Sequence, residues 1–191
     1  CNDDEKRHGL SRYVGKSIVW FDTSANKKKS QKRTKGGSYI NEEEKRIILE
    51  ILDDLKSTGE LKGLDIGIIT GYSGQKELLR KSIKATGLDK IASKIDINTL
   101  DAFQGRENDI IIYSTVRTRD SIGFQKEKER VNVAFSRAKK LLIVCGDKNF
   151  FYNFDDQDNK FVEIIDYISE EEECEIIQCD GGKLFERESN S

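Results

Sequence analysis

Continuous apolar runs alternate with amphipathic runs along most of the chain. The apolar runs are rich in β-branched residues and predict buried strands at residues 16–23, 64–70, 93–99, 108–116 and 141–147. The amphipathic runs repeat apolar residues every three or four positions and predict helices at residues 42–59, 73–87, 125–140 and 160–170. Because the strands lack polar alternation, the sheet should be covered on both faces, which is typical of the parallel α/β architecture.

Capping residues predict where the first two helices begin and end. Asn41 precedes three glutamates and is a suitable N-cap, and the glutamates suit the positive end of the helix dipole. Gly59 and Gly87 are suitable stops for the first and second helices. Residues 24–38 are basic and show no periodicity, so we expect a loop between the first strand and Asn41.

The pattern weakens after residue 154. Beyond the helix at 160–170 the sequence allows a short strand, followed by a tail that we expect to be mobile. We therefore predict three parts: a lead-in from a missing upstream region at 1–15, an α/β domain at 16–154, and a C-terminal helix with an acidic tail at 155–191.

Composition limits the classes of function. Charged residues make up 36% of the 191 residues, yet the formal net charge is only −2, so any basic surface has to be local. Four cysteines without C-x-x-C spacing and a single histidine argue against a metal site, and we expect reduced thiols and a cytoplasmic protein. No run approaches the ~20 apolar residues of a membrane span, and the charged start is unlike a signal peptide. A chain that begins with Cys and contains no Met suggests a piece of a larger protein.

Polar residues follow three of the predicted strands. They are Thr70, Gly71 and Tyr72 after the second strand, Thr99, Asp101, Gln104, Gly105 and Glu107 after the third, and Arg117 and Thr118 after the fourth. Ligands of parallel α/β sheets bind at the carboxyl ends of the strands, so we expect all of these residues on the ligand-binding edge. A solvated turn would also be polar, and both interpretations stay open at this point.

The predicted helix at 125–140 carries arginines beside its apolar stripe. The stripe contains Val131, Phe135 and Ala138, while Arg130 and Arg137 lie on one line roughly 100–120° away. Two solvated arginines would complement the helix dipole. Alternatively, a guanidinium here could be held beside an anionic ligand.

Four ordered blocks resemble the motifs of a known family. "INTLDAFQGRENDIIIYSTVRT" (97–118) and "IGFQKEKERVNVAFSRAKKLLIVCGD" (122–147) resemble motifs V and VI of superfamily 1 helicases. "SYINEEEKRI" and "GIITGYSGQKELL" resemble two further blocks of the same domain, in the same order. The closest branch is the 5′-to-3′ branch, which includes RNA-surveillance helicases and flap-processing helicase-nucleases. The resemblance covers about residues 16–150 and implies the C-terminal RecA-like domain, a three-layer αβα fold with a mostly parallel sheet.

The resemblance implies contacts with ATP. Arg137 matches the motif VI arginine that reaches the γ-phosphate across the cleft between two motor domains and stabilises charge during phosphoryl transfer. Glu107 matches the motif V glutamate that accepts hydrogen bonds from the ribose hydroxyls. Gln104 and Gly105 match residues that bring motif V close to the phosphates, where a missing Cβ permits backbone approach.

The resemblance also implies contacts with single-stranded DNA or RNA. Thr70, Tyr72 and Thr99 match positions that touch the nucleic-acid backbone, where hydroxyls bind phosphate without selecting a sequence. Tyr72 could equally be a half-buried packing aromatic. The basic residues at 27–33 could add an electrostatic contact or could form an ordinary solvated loop.

Two motifs of a complete ATPase are missing from this sequence. It contains no G-x-x-x-x-G-K-[ST] phosphate loop and no apolar strand ending in Asp-Glu to hold Mg²⁺. Most ligands of ATP and Mg²⁺ should therefore come from a missing N-terminal motor domain, and this chain alone should be inactive.

Two other classes of function compete with the helicase interpretation. A stand-alone RecA-like module could bind nucleic acid or a protein without ATPase activity. A Rossmann-type methyltransferase or dehydrogenase would fit the fold, but it requires a G-x-G-x-x-G after the first strand, where the chain has only Gly36-Gly37.

Overall fold

The structure is a computed structural model. It describes residues 10–26, 30–91, 94–103, 106–123, 135–156 and 159–185. Within these residues, no helix is both long enough and apolar enough to cross a membrane.

A six-stranded sheet forms the centre of the fold, and every strand pair in it is parallel. Its strands stand in the order β5-β4-β6-β7-β1-β8. Their bounds are β1 Ile18–Asp22, β4 Asp65–Thr70, β5 Lys94–Thr99, β6 Asn108–Ser114, β7 Ala138–Gly146 and β8 Cys174–Gln178. All six strands begin at one end of the sheet, the amino edge, and end at the other, the carboxyl edge.

Helices cover both faces of this sheet. Their bounds are α1 Glu42–Ser57, α2 Ser73–Thr86, α3 Lys148–Tyr152 and α4 Phe161–Glu170. Apolar residues of α1 and α2 pack on one face, and those of α3 and α4 pack on the other. Residues of one strand alternate between the two cores, since Ile110 and Ile112 join the first and Ile111 and Tyr113 join the second. The predicted three-layer parallel α/β fold is confirmed.

The predicted helix ends agree with the structure. The Asn41 side chain accepts hydrogen bonds from the backbone amides of Glu43 and Glu44 at 3.1 and 3.2 Å, which caps α1. The C-cap of α2 is Gly87, in the left-handed conformation with φ +70°.

The predicted loop at 24–38 is wrong in part. Gln31–Arg33 (β2) and Tyr39–Asn41 (β3) pair as a two-stranded antiparallel ribbon. This basic ribbon, residues 31–41, lies between β1 and α1 and therefore at the carboxyl edge. Its two strands contain few apolar residues and show no alternation of apolar and polar positions, so the hydrophobic pattern did not predict them.

The predicted helix at 125–140 extends too far. Residues 138–140 belong to β7, so Arg137 stands at the entrance of a strand and not on the last turn of a helix. Residues 124–134, including Arg130 and Val131, lie outside the described residues.

The C-terminal segment is more ordered than the sequence suggested. β8 pairs in parallel with β1 over five residues, with Ile18 opposite Cys174 and Asp22 opposite Gln178. Leu184 and Phe185 pack against the core formed with α1 and α2. Residues 186–191 of the expected mobile tail lie outside the described residues.

The connection from β5 to β6 runs from the carboxyl edge to the amino edge. It leaves Thr99, crosses β4 on the face covered by α3 and α4, and enters β6 at Asn108. Phe103 lies directly on Gly67 in the middle of β4, where a Cβ would come within 2.5 Å of the Phe103 ring. Gly67 therefore allows the crossing segment, which is described at residues 100–103 and 106–107, to lie close to the sheet at Phe103.

We expect Gly67→Ala to destabilise the chain by about 1–3 kcal/mol, because the new methyl group displaces Phe103 and Ile111. Urea unfolding of the chain measures this change. Gly71→Ala is the matched control, since a Cβ there meets nothing within 4 Å. Equal midpoints for both variants would contradict the close packing at Gly67.

Candidate functional site

Glu107 and Arg137 lie side by side at the amino edge. Each immediately precedes a strand, and these strands, β6 and β7, are neighbours with Asn108 opposite Ala138. The Asn108 amide donates to the Arg137 carbonyl at 3.2 Å, which fixes the two strand entrances together. Neighbouring strands are about 4.8 Å apart, so both side chains start from almost the same point on this edge.

The expected edge for Glu107 was wrong. Sequence order predicts Glu107 at the carboxyl edge with Thr99, but the crossing segment carries the chain to the opposite end of the sheet first. A seven-residue strand spans about 23 Å, so Thr99 and Glu107 are separated by roughly the height of the sheet.

Arg137 is held between two packed residues. Two positions before it, the Phe135 ring packs edge-on against Tyr113 of β6 at 6.2 Å, and one position after it β7 begins. Its Nε is buried and has no hydrogen-bond partner. Among the described residues, no carboxylate pairs with the Arg137 guanidinium, and Glu107 is exposed without a cationic partner.

Gln104 and Gly105 lie outside the described residues, so their predicted approach to phosphate stays a prediction. Their neighbour Arg106 is described, and its guanidinium pairs with Asp96 of β5.

The three residues predicted to contact nucleic acid meet at the carboxyl edge. Thr70 and Thr99 are opposite each other at the ends of β4 and β5. Thr70 is fully buried, and Tyr72 is 4% exposed with its ring edge-on to Tyr39 at 5.6 Å. Thr99 is partly exposed. Of the three, Thr99 can present its hydroxyl to a ligand in this conformation, while direct contacts by the other two stay predictions.

A buried carboxylate organises the same edge. Glu44 is fully buried and accepts hydrogen bonds from the Ser114 hydroxyl at 2.6 Å, the Asn41 amide at 3.0 Å and the Val116 backbone at 2.8 Å. Gln75 joins this group by donating to Ser114 and accepting from the Asn41 backbone amide. Burial raises the pKa of Glu44 to about 8, although these hydrogen bonds oppose the increase.

These contacts hold a strained backbone in place. Val116 has φ +69°, a conformation that is unfavourable for a β-branched residue. Its amide donates to Glu44, and its carbonyl accepts from the Asn41 side chain at 3.1 Å. Both backbone groups of Val116 are thus fixed, which sets the path of the chain after β6.

Sequence reasoning missed Glu44, although a signal was present. Asn41 and Glu44 have the spacing of a capping box, in which the glutamate would bond the amide of the N-cap residue. Here Gln75 takes that amide, and Glu44 turns toward the end of β6. The capping-box spacing therefore indicated that Glu44 could form a hydrogen bond, but it did not indicate which residues Glu44 contacts in the folded chain.

The buried cysteines offer no reactive group. Cys145, Cys174 and Cys179 are free thiols, and burial raises the pKa of each. Among the described residues, no cluster of three or more His, Cys, Asp or Glu side chains could hold a metal ion.

Comparison with known proteins assigns the family. The model of a family described as an AAA domain matches residues 3–149. The chain belongs to this family. The relatives it matches bear helicase names, which confirms the resemblance to superfamily 1 helicases.

Three similar proteins illustrate the range of this AAA domain family. An uncharacterized ATP-dependent helicase of Methanocaldococcus jannaschii is 38% identical over 144 residues, which cover 74% of this chain and 20% of that protein. The DNA polymerase alpha-associated DNA helicase A of Saccharomyces cerevisiae is 36% identical over 138 residues, 68% of this chain and 19% of that protein. The regulator of nonsense transcripts 1 homolog of Neurospora crassa is 38% identical over 116 residues, 59% of this chain and 10% of that protein.

The chain thus spans a fifth or less of the length of these relatives. Among solved structures, the C-terminal domain of a possible DNA helicase from Lactobacillus plantarum matches 75% of this chain and 81% of its own, at 15% identity and a TM-score of 0.43.

We expect the stability of the chain to fall as pH rises from about 4.5 to about 8, in part because of Glu44. The folded state binds the Glu44 proton more tightly than the unfolded state does, so deprotonation within this window favours unfolding. Glu44→Gln keeps the shape and removes the titration. The free energy of unfolding, measured by urea at several pH values, should therefore depend less on pH in this variant, whereas identical pH profiles would contradict the assignment.

Proposed function

We propose that this chain is the C-terminal motor domain of an ATP-dependent superfamily 1 helicase that acts on DNA or RNA. One observation carries the proposal: Glu107 and Arg137 share the amino edge, and the segment that ends at Glu107 begins at Thr99 on the carboxyl edge. A single stretch of chain thus joins the proposed ATP contacts to the proposed nucleic-acid contacts.

The amino edge suits the ATP contacts that the family implies. Arg137 offers a guanidinium whose buried Nε has no hydrogen-bond partner within the part of the chain that the structure describes, and such a group favours an anionic ligand. Glu107 offers an exposed acceptor for hydroxyl groups beside it. In the intact protein, Arg137 would stabilise charge developing on the γ-phosphate oxygens, and Glu107 would accept hydrogen bonds from the ribose.

ATP would supply the phosphoryl group and the free energy of its hydrolysis, and the N-terminal motor domain would supply the phosphate loop and the ligands of Mg²⁺. Gln104 and Gly105 would bring the crossing segment close to the phosphates. Because the chain carries no phosphate loop of its own, we expect no ATPase activity from it alone.

The carboxyl edge suits the backbone of a single strand. Thr99 presents a partly exposed hydroxyl there, and Thr70 and Tyr72 shape the surface beneath it. Contacts of this kind bind phosphates without selecting a sequence. Movement of the crossing segment during ATP turnover would then change the contacts with the nucleic-acid strand, because Phe103 packs that segment against β4.

We expect Arg137→Ala to lower the ATPase kcat of the full-length protein by about 10³-fold or more, because the arginine stabilises charge that develops during phosphoryl transfer. Binding of a fluorescent ATP analogue should be retained. Arg80→Ala removes an exposed arginine of α2 and is the matched control, for which we expect unchanged turnover. Unchanged kcat in Arg137→Ala would leave the chain as a binding module without an ATPase role.

We expect Glu107→Ala to lower kcat/KM for ATP by about tenfold to hundredfold, since it removes a charge-assisted hydrogen bond. The intact protein should prefer ATP to 2′-deoxy-ATP, and the variant should lose most of that preference. Steady-state kinetics with both nucleotides measure the ratio. Glu77→Ala on the exposed side of α2 is the control, and an unchanged ratio in Glu107→Ala would exclude a ribose contact.

A further inference from the structure

The basic ribbon concentrates positive charge at the carboxyl edge. Every charged residue between 24 and 41 is basic, although the whole chain has a formal net charge of −2. Lys32, Arg33 and Lys35 are exposed near the tip of the ribbon. Within the described residues, none of these three side chains pairs with a carboxylate, whereas Arg12, Arg46 and Arg106 all do.

Specific contacts fix the ribbon to the sheet. Gln31 is buried, and its side-chain oxygen accepts from the Thr118 amide at 2.9 Å, which ties β2 to the chain that follows β6. The Ser38 hydroxyl accepts from the Gly74 amide at 3.0 Å, in the first turn of α2.

An aromatic contact holds the other strand of the ribbon. The Tyr39 ring lies between Tyr72, at 5.6 Å, and the Arg117 guanidinium, at 4.1 Å. Arg117 is itself fixed by the Ser121 carbonyl at 2.8 Å. The basic ribbon is therefore anchored along both strands, and its cations are preorganised beside the ends of β4 and β6.

The acidic run of the chain lies at the other end of the molecule. Glu170–Glu173 connect α4 to the start of β8, which places these exposed glutamates at the amino edge. They cannot neutralise the basic ribbon across the height of the sheet, because that distance exceeds the Debye length of about 8 Å at physiological salt. Glu42 and Glu43, in the first turn of α1 at the carboxyl edge, pair with Lys45 and Arg46 and not, among the described residues, with the cations of the ribbon.

We infer that the basic ribbon is a phosphate-backbone contact for single-stranded nucleic acid, formed by Lys32, Arg33 and Lys35 beside the first turn of α2. This inference rests on the proposed function and adds a binding surface to it. The tip of the ribbon carries three cations and no aromatic side chain, so we expect its contribution to be mainly electrostatic. An acidic protein segment would be the alternative partner, but Thr99 offers a hydroxyl to phosphate on the same edge of the sheet.

The test is the salt dependence of binding in the full-length protein. Binding of fluorescein-labelled oligodeoxythymidylate and oligouridylate is measured by anisotropy across a range of salt concentrations. Each phosphate contact to a single strand contributes about 0.7 to the slope of log K against log[salt], so the triple variant Lys32→Ala/Arg33→Ala/Lys35→Ala should lose about 2 from that slope. At roughly 0.1 M salt its binding should be about tenfold to hundredfold weaker.

Two variants control for net charge and for folding. Lys56→Ala/Lys62→Ala/Lys84→Ala removes three exposed cations near the ends of α1 and α2, at the amino edge, and should keep the original slope. Lys32→Arg/Lys35→Arg preserves the charge of the ribbon and should also bind normally.

Three results would overturn the inference. They are an unchanged slope in the ribbon variant, an equal loss in the amino-edge control, or a loss confined to an oligoglutamate probe, which would identify an acidic protein partner. If the unmodified protein binds neither oligonucleotide, the proposed function fails as well. If the unmodified protein binds normally and the triple variant binds equally well with the same slope, only the inference about the ribbon is refuted.

Discussion

The pairing of β6 with β7 is the constraint on which the candidate site depends. The hydrogen bond between the Asn108 amide and the Arg137 carbonyl joins two strand entrances, and it sets Glu107 and Arg137 together although they are thirty residues apart in sequence. Their side chains do not need to contact each other to act on one ligand. Backbone pairing defines the spacing of the two entrances, and a register shift between Asn108 and Ile110 separates this first pair from the rest of the ladder.

The crossing segment connects these strand entrances at the amino edge with Thr99 at the carboxyl edge. Its ends are fixed by strands β5 and β6, and its middle is fixed by Phe103 on Gly67. Under the proposed function, a displacement of Glu107 at one edge would reach Thr99 on the other through this segment. The absence of a Cβ at Gly67 makes the central contact possible.

The sequence predicted the layers of the fold well and the edges of the sheet poorly. Periodicity identified α1, α2, α4 and five of the six parallel strands, because burial on one or two faces leaves a regular apolar pattern. The basic ribbon left no such pattern, since docking through Gln31, Ser38 and Tyr39 uses polar and aromatic contacts at irregular spacing. Glu107 was assigned to the wrong edge because sequence order does not reveal where a connection crosses a sheet. The motif resemblance predicted that Arg137 and Glu107 lie at one edge of the sheet, and both do stand at neighbouring strand entrances, although this is the amino edge.

Charged groups differ between the two edges at the proposed contact residues. The carboxyl edge carries the unpaired cations of the ribbon, while the buried Glu44 beneath it accepts hydrogen bonds from Ser114 and from the Val116 backbone. A protonated Glu44 would leave the positive field of this edge intact, and a pKa near 8 keeps it largely protonated at neutral pH. At the amino edge, exposed carboxylates stand beside one buried guanidinium nitrogen, which suits a ligand that has both hydroxyls and an anionic end. The two edges therefore differ in the ligand chemistry they favour, although one sheet builds both.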